Sequence, residues 1–93
     1  MAKIYVNQPW ELTITSAEAL TGTTQTRIYY QKPLGTTGYW DVTTSGLNFT
    51  KTISGTDNNE FGDWKFQTSA IFPGATEATR GETVIITIEK AYQ

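Results

Sequence analysis

The chain of 93 residues contains no cysteine and no histidine. Without cysteine it cannot form disulfides or zinc–thiolate sites, and without histidine it lacks the commonest general base and metal ligand. It also has no G-x-S-x-G nucleophile motif and no glycine loop of the phosphate-binding kinds. We therefore predict that the protein is not an enzyme and holds no cofactor.

Long apolar runs and basic clusters are missing as well. No run approaches the roughly 18 apolar residues that a membrane span needs, and the start of the chain lacks the apolar segment of a secretory signal. Seven basic residues are scattered among nine acidic ones, for a net charge of −2. Because no basic cluster can neutralise adjacent phosphates, we expect neither nucleic acid nor a membrane as a partner.

The carboxylates offer two further sites, and we favour neither. A glycosidase needs two carboxylates facing each other across a cleft, for which a chain this short has little room. Residues 57–60, Asp-Asn-Asn-Glu, offer oxygen ligands of the kind that calcium prefers, but no second acidic cluster completes the shell. Asparagine-rich turns also form for backbone reasons alone. We predict that residues 55–59 form an exposed loop and that residues 57–60 hold no metal ion.

The chain does contain short runs in which apolar and polar residues alternate, separated by turns rich in glycine, proline and asparagine. Alternation is the pattern of a half-buried strand, and about seven such runs at this spacing are typical of a sandwich or a small barrel. No amphipathic helix fits between them. We predict an all-β fold, a single immunoglobulin-like antiparallel β-sandwich over residues 1–93. The runs cover residues 3–6, 10–15, 24–31, 39–43, 47–52, 63–72 and 82–90.

The alternation also distinguishes aromatic side chains that point into the core from those that point outward. Trp40, Phe49, Trp64 and Phe66 fall on the apolar side of their runs, so we predict that they form the core. Other large side chains have the opposite parity or stand at turns, where they can fill a partner's pocket, stack on a sugar or pair at a sheet edge. These interface candidates are Tyr5, Trp10, Tyr29, Tyr39, Ile71, Ile85 and Tyr92.

Several segments occur in an order that resembles a known family. They are KIYV at 3–6, TRIYYQKPLG at 26–35, YW at 39–40, GDWKFQ at 62–67 and RGETV at 80–84. Together they resemble small immunoglobulin-like structural proteins of bacteriophage tails and baseplates, including the N-terminal domains of lactococcal phage baseplate upper proteins. The resemblance covers nearly the whole chain, and Trp10 and the polar loop 73–79 depart from it.

The resemblance implies a non-enzymatic structural protein of the virion, made in the host cytoplasm and located at the tail, collar or baseplate. Its partners would be other virion proteins or further copies of itself, in a ring or a trimer. A capsid decoration protein has the same physical features. A carbohydrate-binding adhesion module, which would hold a host-surface glycan on the outward rings, is the alternative from another functional class.

Overall fold

The computed structural model describes residues 3–16 and 19–90. These residues form strands joined by turns, and none of them lies in a helix that is long and apolar enough to cross a membrane. The strands are β1 (Ile4–Tyr5), β2 (Trp10–Thr15), β3 (Thr24–Gln31), β4 (Thr37–Asp41), β5 (Thr43–Ser45), β6 (Asn48–Ile53), β7 (Gly62–Ile71), β8 (Thr79–Arg80) and β9 (Val84–Glu89).

The strands form two sheets, which confirms the all-β class and fits a β-sandwich. The larger sheet has six strands in the order β1-β9-β7-β3-β4, with β8 also paired to β7, and the smaller has three in the order β2-β6-β5. Strand pairs are antiparallel except β1 with β9, which is parallel. As a result Ile4 lies beside Ile88, although they are far apart in the sequence.

The core follows the alternation of the strands. Trp64 and Phe66 are each 1% exposed on β7, with ring centroids 6.0 Å apart. Trp40 is half-buried, and its ring stacks on Tyr30 with the centroids 4.4 Å apart. Large rings bury much area per residue, which suits a thin core in a small domain. The buried apolar residues are Leu12, Leu20, Ile28, Phe49, Ile53, Trp64, Phe66, Ala70 and Ile88.

The strand predicted over residues 39–43 is divided at Val42. The chain leaves the larger sheet after β4 and enters the smaller sheet at β5. Val42 donates its amide hydrogen to the carbonyl oxygen of Thr26, and the Thr26 hydroxyl donates back to the carbonyl oxygen of Val42 at 2.7 Å. This pair of bonds satisfies the backbone where it crosses between the sheets.

The last predicted strand, over residues 82–90, begins later than expected and is preceded by β8. Ser69 pairs with Arg80, and Phe66 pairs with Val84. Between these pairs β7 advances by three residues and the segment from β8 to β9 advances by four, so that segment contains a one-residue bulge. Gly81 lies within it and donates its amide hydrogen to the Thr68 carbonyl oxygen at 3.0 Å. A side chain at this position would collide with the Thr68 hydroxyl, so the close approach requires glycine.

The prediction that residues 55–59 lie in an exposed loop is wrong at Asn58, which is fully buried. Its Nδ2 donates hydrogen bonds to the carbonyl oxygens of Tyr5 and Gln8, both at 2.8 Å. The Asn7 amide donates to the carbonyl oxygen of Asn58 at 2.7 Å. The loop is therefore fixed to the connection between β1 and β2.

Candidate functional site

The outer face of the larger sheet carries the exposed ring of Tyr39 and the half-buried ring of Tyr29 between charged side chains. Because Ile28 is fully buried, its neighbours Arg27 and Tyr29 on β3 point outward. On β4, Tyr39 lies opposite Tyr29 and Asp41 lies opposite Arg27. The tyrosine–arginine row is defined here as Arg27, Tyr29, Tyr39, Asp41 and Arg80.

The two rings of the row are each covered on one side by a guanidinium group. The ring centroids of Tyr29 and Tyr39 are 5.4 Å apart, and the angle between the ring planes is 44°. The Arg80 Cζ lies 3.8 Å from the Tyr29 centroid, and the Arg27 Cζ lies 4.5 Å from the Tyr39 centroid. An exposed cation–π contact contributes about 0.5–1 kcal/mol, enough to favour one arrangement of flexible side chains.

Hydrogen bonds hold both arginines in the row. Arg27 Nε lies 3.1 Å from Asp41 Oδ1. A hydrogen bond with the Tyr29 side chain, and after it the bond with Asp41, raises the pKa of Arg27. Its guanidinium is charged at physiological pH, as it is for any arginine. Arg80 Nη1 donates to Gln67 Oε1 at 3.3 Å, and Gln67 Nε2 donates to the Gly81 carbonyl oxygen at 3.0 Å.

An open groove of about 410 Å³ runs along the tyrosine side of the row. None of the described residues that line it is a carboxylate, so the groove offers rings, amides, hydroxyls and the Lys65 ammonium for contact. Such groups can contact both apolar and polar parts of a ligand or a partner surface. The outward side chains in its lining are Tyr29, Gln31, Thr37, Tyr39, Lys65, Gln67 and Thr83.

Exposed tyrosines with polar neighbours occur both at protein interfaces and at sugar-binding faces, because the ring is apolar while the hydroxyl can form hydrogen bonds. No family model, curated protein or solved structure matches the chain. The candidate site is therefore defined by its own geometry, with the row at its centre.

Among the other interface candidates, exposure separates Ile85 and Tyr5 from Ile71. Ile85 is 59% exposed on β9 and Tyr5 is 38% exposed on β1. Ile71 is half-buried at the end of β7, where it pairs with Thr24. Tyr92 lies outside the described residues. Of the seven interface candidates, Tyr29 and Tyr39 are the two that belong to the tyrosine–arginine row.

Trp10 does not stand outward at a turn as predicted. It begins β2, where its register opposite Ile53 places it on the same face as the buried Leu12. Its ring packs edge-on against Phe66, with the centroids 5.9 Å apart at 69°. The predicted run 10–15 already begins at Trp10, and its alternation with Leu12 indicated an inner position.

Sequence reasoning missed both arginines of the row. Arg27 has the same parity as Tyr29 on β3, so the pattern that selected the tyrosine also indicates the arginine. Arg80 reaches Tyr29 because β8 pairs with β7. A strand as short as Thr79–Arg80 leaves no alternation to detect.

Proposed function

We propose that the chain is a non-enzymatic structural protein of a bacteriophage particle, located at the tail, collar or baseplate, that assembles in multiple copies through its sandwich surfaces. The tyrosine–arginine row carries this proposal. Tyrosine and arginine are enriched among the residues that dominate interface energies. Here they are already ordered by contacts with each other, which lowers the entropy cost of binding.

The immunoglobulin-like type is part of the proposal. The order β2-β6-β5 corresponds to strands B, E and D of that fold, and β9-β7-β3-β4 corresponds to G, F, C and C′. The disulfide that joins strands B and F in antibody domains has no counterpart, because the chain has no cysteine. Buried Leu12 and Trp64 occupy the corresponding strands.

The virion role is supported by the location of the residues that carry the family resemblance. Residues 26–35 and 39–40, which carry part of it, lie in β3, its hairpin and β4, and they supply three of the five residues of the row. A domain of this size buries a modest share of its surface when folded alone. Assembly with other virion proteins or further copies adds burial and stabilises the folded state.

A single substitution on the edge strand tests this role. Tyr39 is 49% exposed, so Tyr39→Ala should leave the melting temperature nearly unchanged. It should weaken self-association and incorporation into particles by about 30-fold, the effect of losing a strong interface residue. Thr37→Ala, on the same face of β4, is the matched control. Sedimentation of the purified chain and co-purification with particles provide the measurements, and immunogold labelling distinguishes tail from head.

The proposal is contradicted if Tyr39→Ala and Thr37→Ala assemble equally well, or if the wild-type chain stays monomeric and does not join particles.

A carbohydrate-binding module is the second candidate, because the groove combines two tyrosine rings with the amides of Gln31 and Gln67. The guanidinium groups already cover one face of each ring, which reduces the area available for stacking on a sugar. Calorimetric titration with host-surface glycans decides between the two. Binding that Tyr29→Ala abolishes would favour the glycan, whereas no heat change at millimolar glycan would remove this candidate.

A further inference from the structure

One edge of the larger sheet is open to another strand. β4 ends the strand order, and no strand of the described residues pairs with its other side. Its pairing with β3 is regular over all five residues. Natural proteins usually block an edge with proline, lysine, a bulge or a covering segment, because its free backbone groups can pair with another chain. β4 contains neither proline nor lysine, and its one charged side chain, Asp41, is bonded to Arg27.

The hydrogen bonds between β3 and β4 show which backbone groups point to the open side. The Lys32 amide donates to the Thr36 carbonyl oxygen at 2.8 Å, and the Val42 amide donates to the Thr26 carbonyl oxygen at 3.0 Å. In an antiparallel pair, every second residue of a strand bonds the same neighbour. In the observed register the even-numbered residues of β4 therefore bond β3, and the odd-numbered ones direct their amide and carbonyl groups to the open side. These edge residues are Thr37, Tyr39 and Asp41.

The edge residues are arranged symmetrically about Tyr39. When a second β4 runs antiparallel along the open side with Tyr39 opposite Tyr39, Thr37 of each copy lies opposite Asp41 of the other. Each opposed pair of edge residues exchanges two backbone hydrogen bonds, which gives about six bonds in all. Any other register pairs fewer edge residues. The open side of β4 is therefore complementary to itself.

We propose that two copies join through β4, antiparallel about a two-fold axis at Tyr39, so that their larger sheets form one continuous sheet. This contact rests on the proposed multi-copy assembly and gives it a symmetry. Because both copies use the same surface, the contact closes at a dimer.

The outer side chains of β4 suit this register. Tyr39 is 49% exposed and would meet the Tyr39 ring of the copy, an aromatic pair of the kind that stabilises adjacent strands. Asp41 would lie opposite Thr37, whose hydroxyl can donate to the carboxylate. The two Asp41 residues would be about 14 Å apart, four residues along the strand. An in-register parallel pairing would instead place the two carboxylates side by side, which is destabilising.

The inner side of β4 favours a second copy over an unrelated strand. In the same register Gly38 lies opposite Trp40 of the copy. Gly38 has no side chain, and the Tyr30 ring lies across it. Trp40 is half-buried and stacks on Tyr30 of its own chain with the centroids 4.4 Å apart. The Trp40 ring of the copy would pack beside Tyr30 over Gly38, so β4 supplies both the large residue and the space that receives it.

Thr37→Pro tests the backbone pairing. Proline at this position removes an amide hydrogen that points to the open side and leaves the bonds between β3 and β4 in place. The dissociation constant of the dimer should rise about 30-fold, because each copy loses an intermolecular donor. Thr37→Ala keeps the donor and should change the constant little. Sedimentation equilibrium measures the constants, and thermal melting verifies that the variants fold.

Thr13→Pro on β2 is the matched control. β2 is an edge strand of the smaller sheet. The Ser16 amide donates to the Leu47 carbonyl oxygen at 2.6 Å, so the alternation along β2 directs the Thr13 amide away from β6. The same substitution therefore removes a free donor at the other sheet and should leave the dimer intact. Weaker association in Thr13→Pro but not in Thr37→Pro would overturn the proposal.

Cross-linking tests the register and gives an independent result should Thr37→Pro fail to fold. Because the chain has no cysteine, Thr37→Cys and Asp41→Cys each contain a single thiol. In the proposed dimer the Cα atoms of Thr37 and of the opposite Asp41 are about 5.5 Å apart, within the range of a disulfide. Two Thr37 residues are about 14 Å apart, which is too far.

An equal mixture of Thr37→Cys and Asp41→Cys should therefore oxidise to a covalent heterodimer, whereas each variant alone should stay largely uncross-linked. Mass spectrometry distinguishes the products. A mixture of Thr13→Cys with Asp41→Cys is the control for random collision. A heterodimer yield no higher than in this control, or equal cross-linking of Thr37→Cys with itself, would overturn the proposed register.

The outcomes separate this contact from the proposed function. If the wild type is monomeric in solution and Thr37→Pro fails to join particles, a strand of another virion protein occupies the edge. The second copy is then overturned as its occupant, and the structural role stands. A wild-type chain that dimerises through β4 but joins no particle supports this contact and overturns the virion role. A chain that neither dimerises nor joins particles overturns both.

Discussion

Asn58 connects parts of the chain that are far apart in sequence. Its Nδ2 bonds the carbonyl oxygens of Tyr5 and Gln8, which are 53 and 50 residues away. Both bonds are part-buried, so removal of their shared donor leaves two carbonyl oxygens that water can reach only in part, which costs stability. A single side chain therefore fixes the loop before β7 to the start of the fold.

Asn58→Ala should lower the free energy of unfolding by about 3 kcal/mol, because it leaves two backbone acceptors unsatisfied. Asn59→Ala, the neighbouring control, removes only an exposed bond to Lys32 and should cost less than about 1 kcal/mol. Urea unfolding followed by tryptophan fluorescence measures both. Equal losses would show that the Asn58 bonds do not hold the loop.

At the scale of elements, the β3–β4 hairpin depends on a glycine opposite a ring. Gly38 pairs with Tyr30, whose side chain lies across it, and a Cβ at position 38 would be 2.7 Å from the Tyr30 Cζ. Tyr30 in turn stacks on Trp40 at a centroid separation of 4.4 Å. The missing side chain at Gly38 thus lets one ring cover the edge strand.

Gly38→Ala should destabilise the fold by about 1–3 kcal/mol, the usual cost of overpacking, because Tyr30 must move. It should also change the near-ultraviolet circular dichroism, which reports on the Tyr30–Trp40 stack. Thr37→Ala is the neighbouring control, since Thr37 is exposed. An unchanged spectrum in Gly38→Ala would mean that Tyr30 adapts without leaving Trp40.

The elements also show what the sequence can predict. Strand alternation correctly placed Phe49, Trp64 and Phe66 in the core, because period-2 burial is a local property of the chain. The burial of Asn58 was not predicted. In a polar segment, the sequence does not show whether an asparagine side chain forms hydrogen bonds with water or with distant carbonyl oxygens.

The tyrosine–arginine row could be predicted only in part. Tyr29 and Tyr39 follow from parity along their own strands. The stacking of Arg80 on Tyr29 depends on the pairing of two other strands, β8 with β7, and on a bulge at Gly81. The contact between Arg80 and Tyr29 depends on how separate segments of the chain pair, so the alternation within any single strand cannot predict it.

For the whole molecule, the parallel pair of β1 and β9 joins the beginning of the fold to its end. The Val6 amide donates to the Glu89 carbonyl oxygen at 3.0 Å, and Tyr5 supplies an acceptor to Asn58. Pairs this distant in sequence form late or slowly in folding, because closing long loops costs entropy.

Deletion of residues 1–6 should therefore lower the free energy of unfolding by about 3 kcal/mol or more, as it removes an edge strand and one of the Asn58 acceptors. Lys3→Ala is the control, because its 3.6 Å contact with Glu89 is exposed and contributes less than about 1 kcal/mol. Thermal unfolding compares the two. A deletion no worse than Lys3→Ala would show that β1 is dispensable.

The same parallel pair determines where a fusion partner would sit. Ile88 lies beside both Ile4 and Gly62, so β1 and the end of β9 share the end of the molecule that displays Leu34. A fusion partner attached after β9 would leave the larger sheet at its Gly62 end, close to the turn that carries Leu34. Because β1 runs parallel to β9, a partner attached before β1 would leave in the opposite direction, so the two attachment points are not equivalent.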